Sequence, residues 1–91
     1  MPIVTNNVTL GTAAVQVVAP DIMQQEVHLH NMTKSSNEYI YLGGGSDITT
    51  SNTIHIDPGE SITIWLGPGD PLYALSDPDG LELGILVVKQ D

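Results

Sequence analysis

Cysteine, phenylalanine and arginine are all missing from this 91-residue chain. Without cysteine no disulfide can staple the fold, and the composition is compatible with a reducing compartment. With no Phe, one Trp and three Tyr, the core has to be built from Ile, Leu and Val. A domain this small buries only about 60–65% of its unfolded surface, so its margin of stability is thin and a partner surface would add to it. Cations are equally scarce. Lys34 and Lys89 face 11 acidic residues, for a net charge of −9. Nucleic acid and anionic membrane are bound by exchanging counterions for Lys and Arg, so neither is an expected partner. The acidic surplus favours solubility instead.

Long apolar runs are also missing. Nothing approaches the ~18 apolar residues of a membrane-spanning helix. The opening MPIVTNNVTLG has neither the basic region nor the apolar run of a secretory signal, so the expectation is a product that stays soluble in the cytoplasm where it is made. Helical periodicity is nearly absent, because the one candidate, Ala13 to Gln25, is rich in Val and interrupted by Pro20.

Strand signals are what the chain does contain. Runs of β-type residues are expected near Ile3–Leu10, Ala13–Ala19, Gln25–Asn31, Glu38–Leu42, Thr53–Ile56, Ser61–Leu66, Leu72–Ser76 and Leu81–Lys89. Between them lie strong turn formers: Pro58-Gly59 suits a type II turn, and Gly67-Pro68-Gly69-Asp70 and Asp77-Pro78-Asp79-Gly80 reverse the chain, the latter with Asx hydrogen bonds. Alternation places Ile62, Ile64 and Leu66 on one face against Ser61, Thr63 and Trp65. It likewise sets Val27 and Leu29 against Glu26, His28 and His30. The last strand has apolar residues on both faces, with Leu86 and Val88 opposite Leu81, Leu83, Ile85 and Val87. Such a strand is either covered on both sides or meets another subunit. The fold class is all-β: a single compact antiparallel β-sandwich or small barrel, jelly-roll-like, of about eight short strands. Residues 1–8 are the stretch with the option of forming an extended arm.

Candidate chemistry is thin. His28 and His30 share a strand face in the manner of some β-sandwich metal sites, with His55 as the only other imidazole. Glu38 comes too late for a cupin-type ligand set, and two exposed imidazoles are the simpler reading. Asp77-Pro78-Asp79-Gly80 lacks the further oxygen ligands of a calcium loop. No Ser lies in a G-x-S-x-G elbow. Gly43-Gly44-Gly45 lacks the Lys and the helix of a phosphate loop. No catalysis and no cofactor or metal are expected. Tyr39, Tyr41, Trp65 and Tyr73 suggest either a sugar platform or, more simply, core-end and interface anchors.

One resemblance is specific. Asn31, then Tyr39-Ile40-Tyr41-Leu42-Gly43-Gly44-Gly45-Ser46-Asp47-Ile48-Thr49-Thr50-Ser51-Asn52, then Asp57-Pro58-Gly59-Glu60-Ser61, then Leu72-Tyr73-Ala74-Leu75-Ser76 resemble small β-structured virion proteins of tailed bacteriophages. These are capsid decoration and head-fibre-like modules. The resemblance spans about residues 25–90, and the chain departs from the pattern by one extra Gly and by Ile48 in place of Val. It implies a virion protein on the capsid surface, made in the cytoplasm of the host bacterium. Its expected partners are the major capsid protein lattice and copies of itself, as a homotrimer. The alternative it implies is a carbohydrate-binding or host-attachment module of a tail or head fibre. Expected interface residues are Ile3, Val4, Tyr39, Tyr41, Trp65, Leu86 and Val88, with the start of the chain and the last strand making the contacts and the Gly43–Asn52 loop held for geometry.

Overall fold

The computed structural model describes residues 3–90. They form eight strands: β1 (Ile3–Leu10), β2 (Val15–Val18), β3 (Gln24–Asn31), β4 (Tyr39–Gly43), β5 (Ile54–Ile56), β6 (Ser61–Leu66), β7 (Leu72–Asp77) and β8 (Leu81–Gln90). No helix among the described residues is long and apolar enough to cross a membrane. Two four-stranded antiparallel sheets are stacked, ordered β1-β8-β3-β6 and β2-β7-β4-β5. Pairing the first strand with the last and the second with the seventh is the jelly-roll arrangement of a sandwich.

Alternation decides what lies between the sheets. The first sheet contributes Leu10, Val27, Leu29, Leu66, Leu81, Leu83, Ile85 and Val87. The second contributes Val18, Ile40, Leu42, Ile56, Leu72 and Ala74. The core is aliphatic throughout, as the absence of Phe requires. Three polar residues are buried with it, Gln25, Asn31 and Ser76, and each finds a carbonyl: Gln25 Nε2 donates to Ala19 O at 3.1 Å, and Ser76 Oγ to Pro78 O at 2.8 Å.

The stretch expected as a possible arm is, from Ile3 onward, a strand. β1 pairs with β8 from Ile3↔Val88 to Leu10↔Leu81, and Leu10 closes the core. Met1 and Pro2 lie outside the described residues. Turn chemistry follows the sequence at Gly59 and Gly69, whose φ angles of 76° and 83° only Gly adopts without strain. Glu60 N donates to Asp57 O at 3.0 Å and Asp70 N to Gly67 O at 3.1 Å, closing both turns. Asp77-Pro78-Asp79-Gly80 is held differently from expectation. Gly80 N donates to Leu10 O at 2.8 Å and Ser76 Oγ to Pro78 O, so backbone and serine take the place of Asx bonds.

Candidate functional site

Each sheet turns one face outward, and the two faces differ in chemistry. On the β1-β8-β3-β6 sheet the register sets side chains in rows. One row runs Ile3, Val88, Glu26, Trp65; the next runs Thr5, Leu86, His28, Thr63; the third runs Asn7, Gly84, His30, Ser61. Ile3 is 64% exposed and Trp65 55%, large values for side chains rooted on strands. Four of the expected interface residues, Ile3, Trp65, Leu86 and Val88, therefore share one face. β8 is central in its sheet, so Leu86 and Val88 are half-buried between neighbouring strands.

The imidazoles on this face are tethered by hydroxyls across the β3–β6 ladder. His28 Nδ1 pairs with Thr63 Oγ1 at 3.0 Å, and His30 Nδ1 with Ser61 Oγ at 2.7 Å. Glu26 Oε2 lies 3.0 Å from His28 Nε2. A shallow open groove of about 580 Å³ crosses the sheet here, floored by Gly84 between His28, His30, Met32 and Leu86. A side chain at position 84 would meet Met32 Sδ, because its Cβ would stand 3.2 Å from the sulfur.

Val4 faces the other way, toward the space between the sheets. β2 is short and bulged between Gln16 and Val18, so it leaves the start of β1 partly uncovered. The resulting cleft, about 180 Å³, is lined by Val4, Val17, Ile85 and Val87, with Asp21 and Lys89 also on its wall. Lys89 Nζ donates to Asp21 Oδ2 at 2.7 Å, and Asp21 Oδ1 accepts from Met23 N at 3.0 Å. These bonds, the lysine first, hold the Asp21 carboxyl below its ordinary value near 3.8. A carboxyl with a lowered folded-state pKa contributes stability at neutral pH that is lost as pH falls through that value. Lys89→Met is therefore expected to lower the melting temperature at pH 7 and to flatten its decline below about pH 4, read by circular dichroism across pH.

The outer face of the β2-β7-β4-β5 sheet gathers aromatic residues. Tyr39 and Tyr41 point outward from β4 because Ile40 and Leu42 point in. His55, on β5, stands between them, with ring centroids 4.8 Å from Tyr39 and 5.5 Å from Tyr41. Its Nε2 is 3.0 Å from Asp57 Oδ1. Across β4, Tyr41 faces Leu75 and Tyr39 faces Asp77, while Gly43 faces Tyr73. Leu75 is only 3% exposed although it lies outside the core between the sheets. Gly43 is required there: a Cβ at that position would lie 2.2 Å from Ile48 Cγ2, so the following loop folds down onto the end of this face. The loop is bonded within itself, since Thr49 N donates to Asn52 Oδ1 at 2.7 Å and Asn52 Nδ2 to Asp47 O at 3.2 Å.

Two groupings that the sequence leaves open are decided by this arrangement. Trp65 is not in the aromatic group with the tyrosines; it stands on the opposite outer face. His28 and His30 are separated from His55 by the whole thickness of the sandwich, so the three do not meet on one ion. No group of three or more His, Asp or Glu suited to a metal occurs among the described residues.

No family model matches this chain, and no curated protein matches it. A solved structure is similar in fold, from Bacillus endospore appendages described as a novel family of disulfide-linked pili. It covers 94% of this chain and 80% of that chain, with a TM-score of 0.61 at 17% identity. At that identity the likeness establishes the sandwich fold and nothing finer.

Proposed function

We propose that this chain is a structural virion protein of a tailed phage, a capsid decoration protein that docks on assembled coat subunits and stabilises the head. The observation that carries the reading is one outer face holding Ile3, Val88, Leu86 and Trp65, with Glu26 between Val88 and Trp65. Apolar anchors interspersed with Thr, Ser, His and Glu fit a docking surface of mixed character. The segments that resemble phage virion modules occupy β4, the Gly59 turn and β7, which supports the same reading. The similar pilus structure is also of an assembling protein. These 91 residues contain no cysteine, so the disulfide link named for those pili has no counterpart within them. Binding only the assembled lattice would stabilise that lattice by mass action.

Purified protein should bind assembled capsids of its phage, saturate at a fixed ratio to coat protein and ignore unassembled coat. Trp65→Ala should weaken that binding about 30-fold or more, the loss typical of a buried aromatic anchor. Equal binding to unassembled coat, or full capsid affinity in the variant, would overturn the assignment. The oligomer we assign is a homotrimer, which sedimentation equilibrium measures directly.

A further inference from the structure

We infer that the outer face of the β2-β7-β4-β5 sheet is a binding site for an uncharged glycan, with Tyr39, Tyr41 and Tyr73 as its stacking surface. This face is opposite the one assigned to capsid docking, so the two sites can be filled at once and fail separately.

All three tyrosines of the chain stand on this one face, and His55 is fixed between two of them. None is spent on the core, which is aliphatic. The rings are half-buried, partly covered by the surface they stand on. Aromatic rings held in that way offer an apolar body and a hydroxyl tip, which suits ligands that are themselves part apolar and part polar. A pyranose ring has that character, with C–H groups on its faces and hydroxyls around its edge.

Hydrogen-bonding groups flank the rings. Asp77 is opposite Tyr39 in the β4–β7 register, and Asp57 lies on the other side, 3.0 Å from His55 Nε2. Nε2 of His55 is engaged by Asp57, and Nδ1 is the ring nitrogen outside that pair. Carboxylates are acceptors for a ligand rich in hydroxyl donors. At the far end of the face, Ile48 lies over Gly43 beside Tyr73 and forms a wall. The site has a floor, an apolar end and an acidic end.

Charge narrows the ligand. Lys89 is paired with Asp21, and no ion pair joins Lys34 to Asp57 or Asp77 among the described residues. An anionic sugar, a phosphate or a nucleic acid would meet Asp57 and Asp77 without a counter-charge. A second copy docked face to face here would set its own Asp57 and Asp77 against this acidic rim. A neutral oligosaccharide is the occupant that matches the stacking surface, the acceptors and the charge together.

The test is titration of ¹⁵N-labelled protein with neutral oligosaccharides (maltoheptaose, cellohexaose, xylohexaose and penta-N-acetylchitopentaose), with colominic acid as the anionic comparison. At least one neutral oligosaccharide should bind with a Kd below about 1 mM and shift amides of β4, β5 and β7. Colominic acid should shift none of them. Tyr41→Ala should weaken binding about 10-fold or more, while Trp65→Ala leaves it unchanged. Tyr39→Ala serves the same purpose should Tyr41→Ala fail to fold, and the shift map of the unmutated protein needs neither. Absence of binding by all four at about 10 mM, shifts confined to β3, β6 and β8, or loss through Trp65→Ala alone would each overturn the site.

Discussion

Asn31→Ala is expected to cost about 3–5 kcal/mol of folding stability, a large share of the about 5–14 kcal/mol available to a domain of this length. Asn31 is fully buried, and its amide works in both directions. Nδ2 donates to Glu38 O at 2.9 Å and to Ile56 O at 3.0 Å. Oδ1 accepts from Thr33 N at 3.1 Å and from Thr33 Oγ1 at 2.7 Å. Its own main chain completes the junction, with Asn31 N donating to Glu60 O and Gly59 N to Asn31 O. One side chain thus ties the end of β3 to the start of β4 and the end of β5, in the opposite sheet. Truncation leaves two carbonyls and an N–H without partners, and each such loss costs about 1–3 kcal/mol. Urea unfolding followed by circular dichroism measures the effect, and an unfolding free energy within about 1 kcal/mol of the parent would contradict it. Asn31→Asp keeps the shape and the Thr33 contacts but sets a carboxylate against two carbonyls, so it should be at least as damaging at neutral pH.

The second large effect is expected at Leu83, which is fully buried on the central strand β8. Leu83→Ala should cost about 2–5 kcal/mol, through lost transfer energy and a cavity that a thin two-layer core cannot readily close. Leu83 is opposite Val8 on one side and Asn31 on the other. The two sites therefore share neighbours, and the double variant should depart from the sum of the single losses by about 0.5 kcal/mol or more. Additive losses would show that the junction and the core relax independently.

Much of the frame is legible in the sequence. Alternation in β3, β6 and β8 places the aliphatic inward residues, because a period of two leaves little choice once one face is buried. It does not mark Gln25 and Asn31, which also point inward on β3. The Pro58-Gly59 and Gly67–Asp70 reversals were readable from the positive φ that only Gly accepts cheaply. Each strand's expected bounds fall within about two residues of its observed ones, an offset typical of how strand ends are drawn from sequence. Partnership between strands was not legible. Ile3 meets Val88 across nearly the whole chain, and local periodicity carries no information about such pairing. That is why the sequence leaves open whether Trp65 joins tyrosines that lie on the other side of the molecule, and whether His55 joins His28 and His30. Asn31 carried only a weak signal, since an Asn at a strand end reads first as a turn residue. Its burial follows from Glu38 O and Ile56 O needing a donor, which depends on the tertiary fold. The Asp77–Gly80 turn departs from its expected Asx bonding because Gly80 N reaches Leu10 O, distant in sequence, while the adjacent Ser76 Oγ takes Pro78 O.

The pairing of β1 with β8 has a consequence for how this domain can be wired to other polypeptides. Ile3 and Val88 are direct neighbours, so the start of β1 and the end of β8 lie side by side, in the row that ends at Trp65 on the far edge and away from the tyrosine face. Spliced between two residues of a host loop, the domain would behave as a cassette with a narrow footprint. Its aromatic face would then be presented to the outside, whatever polypeptide carried it.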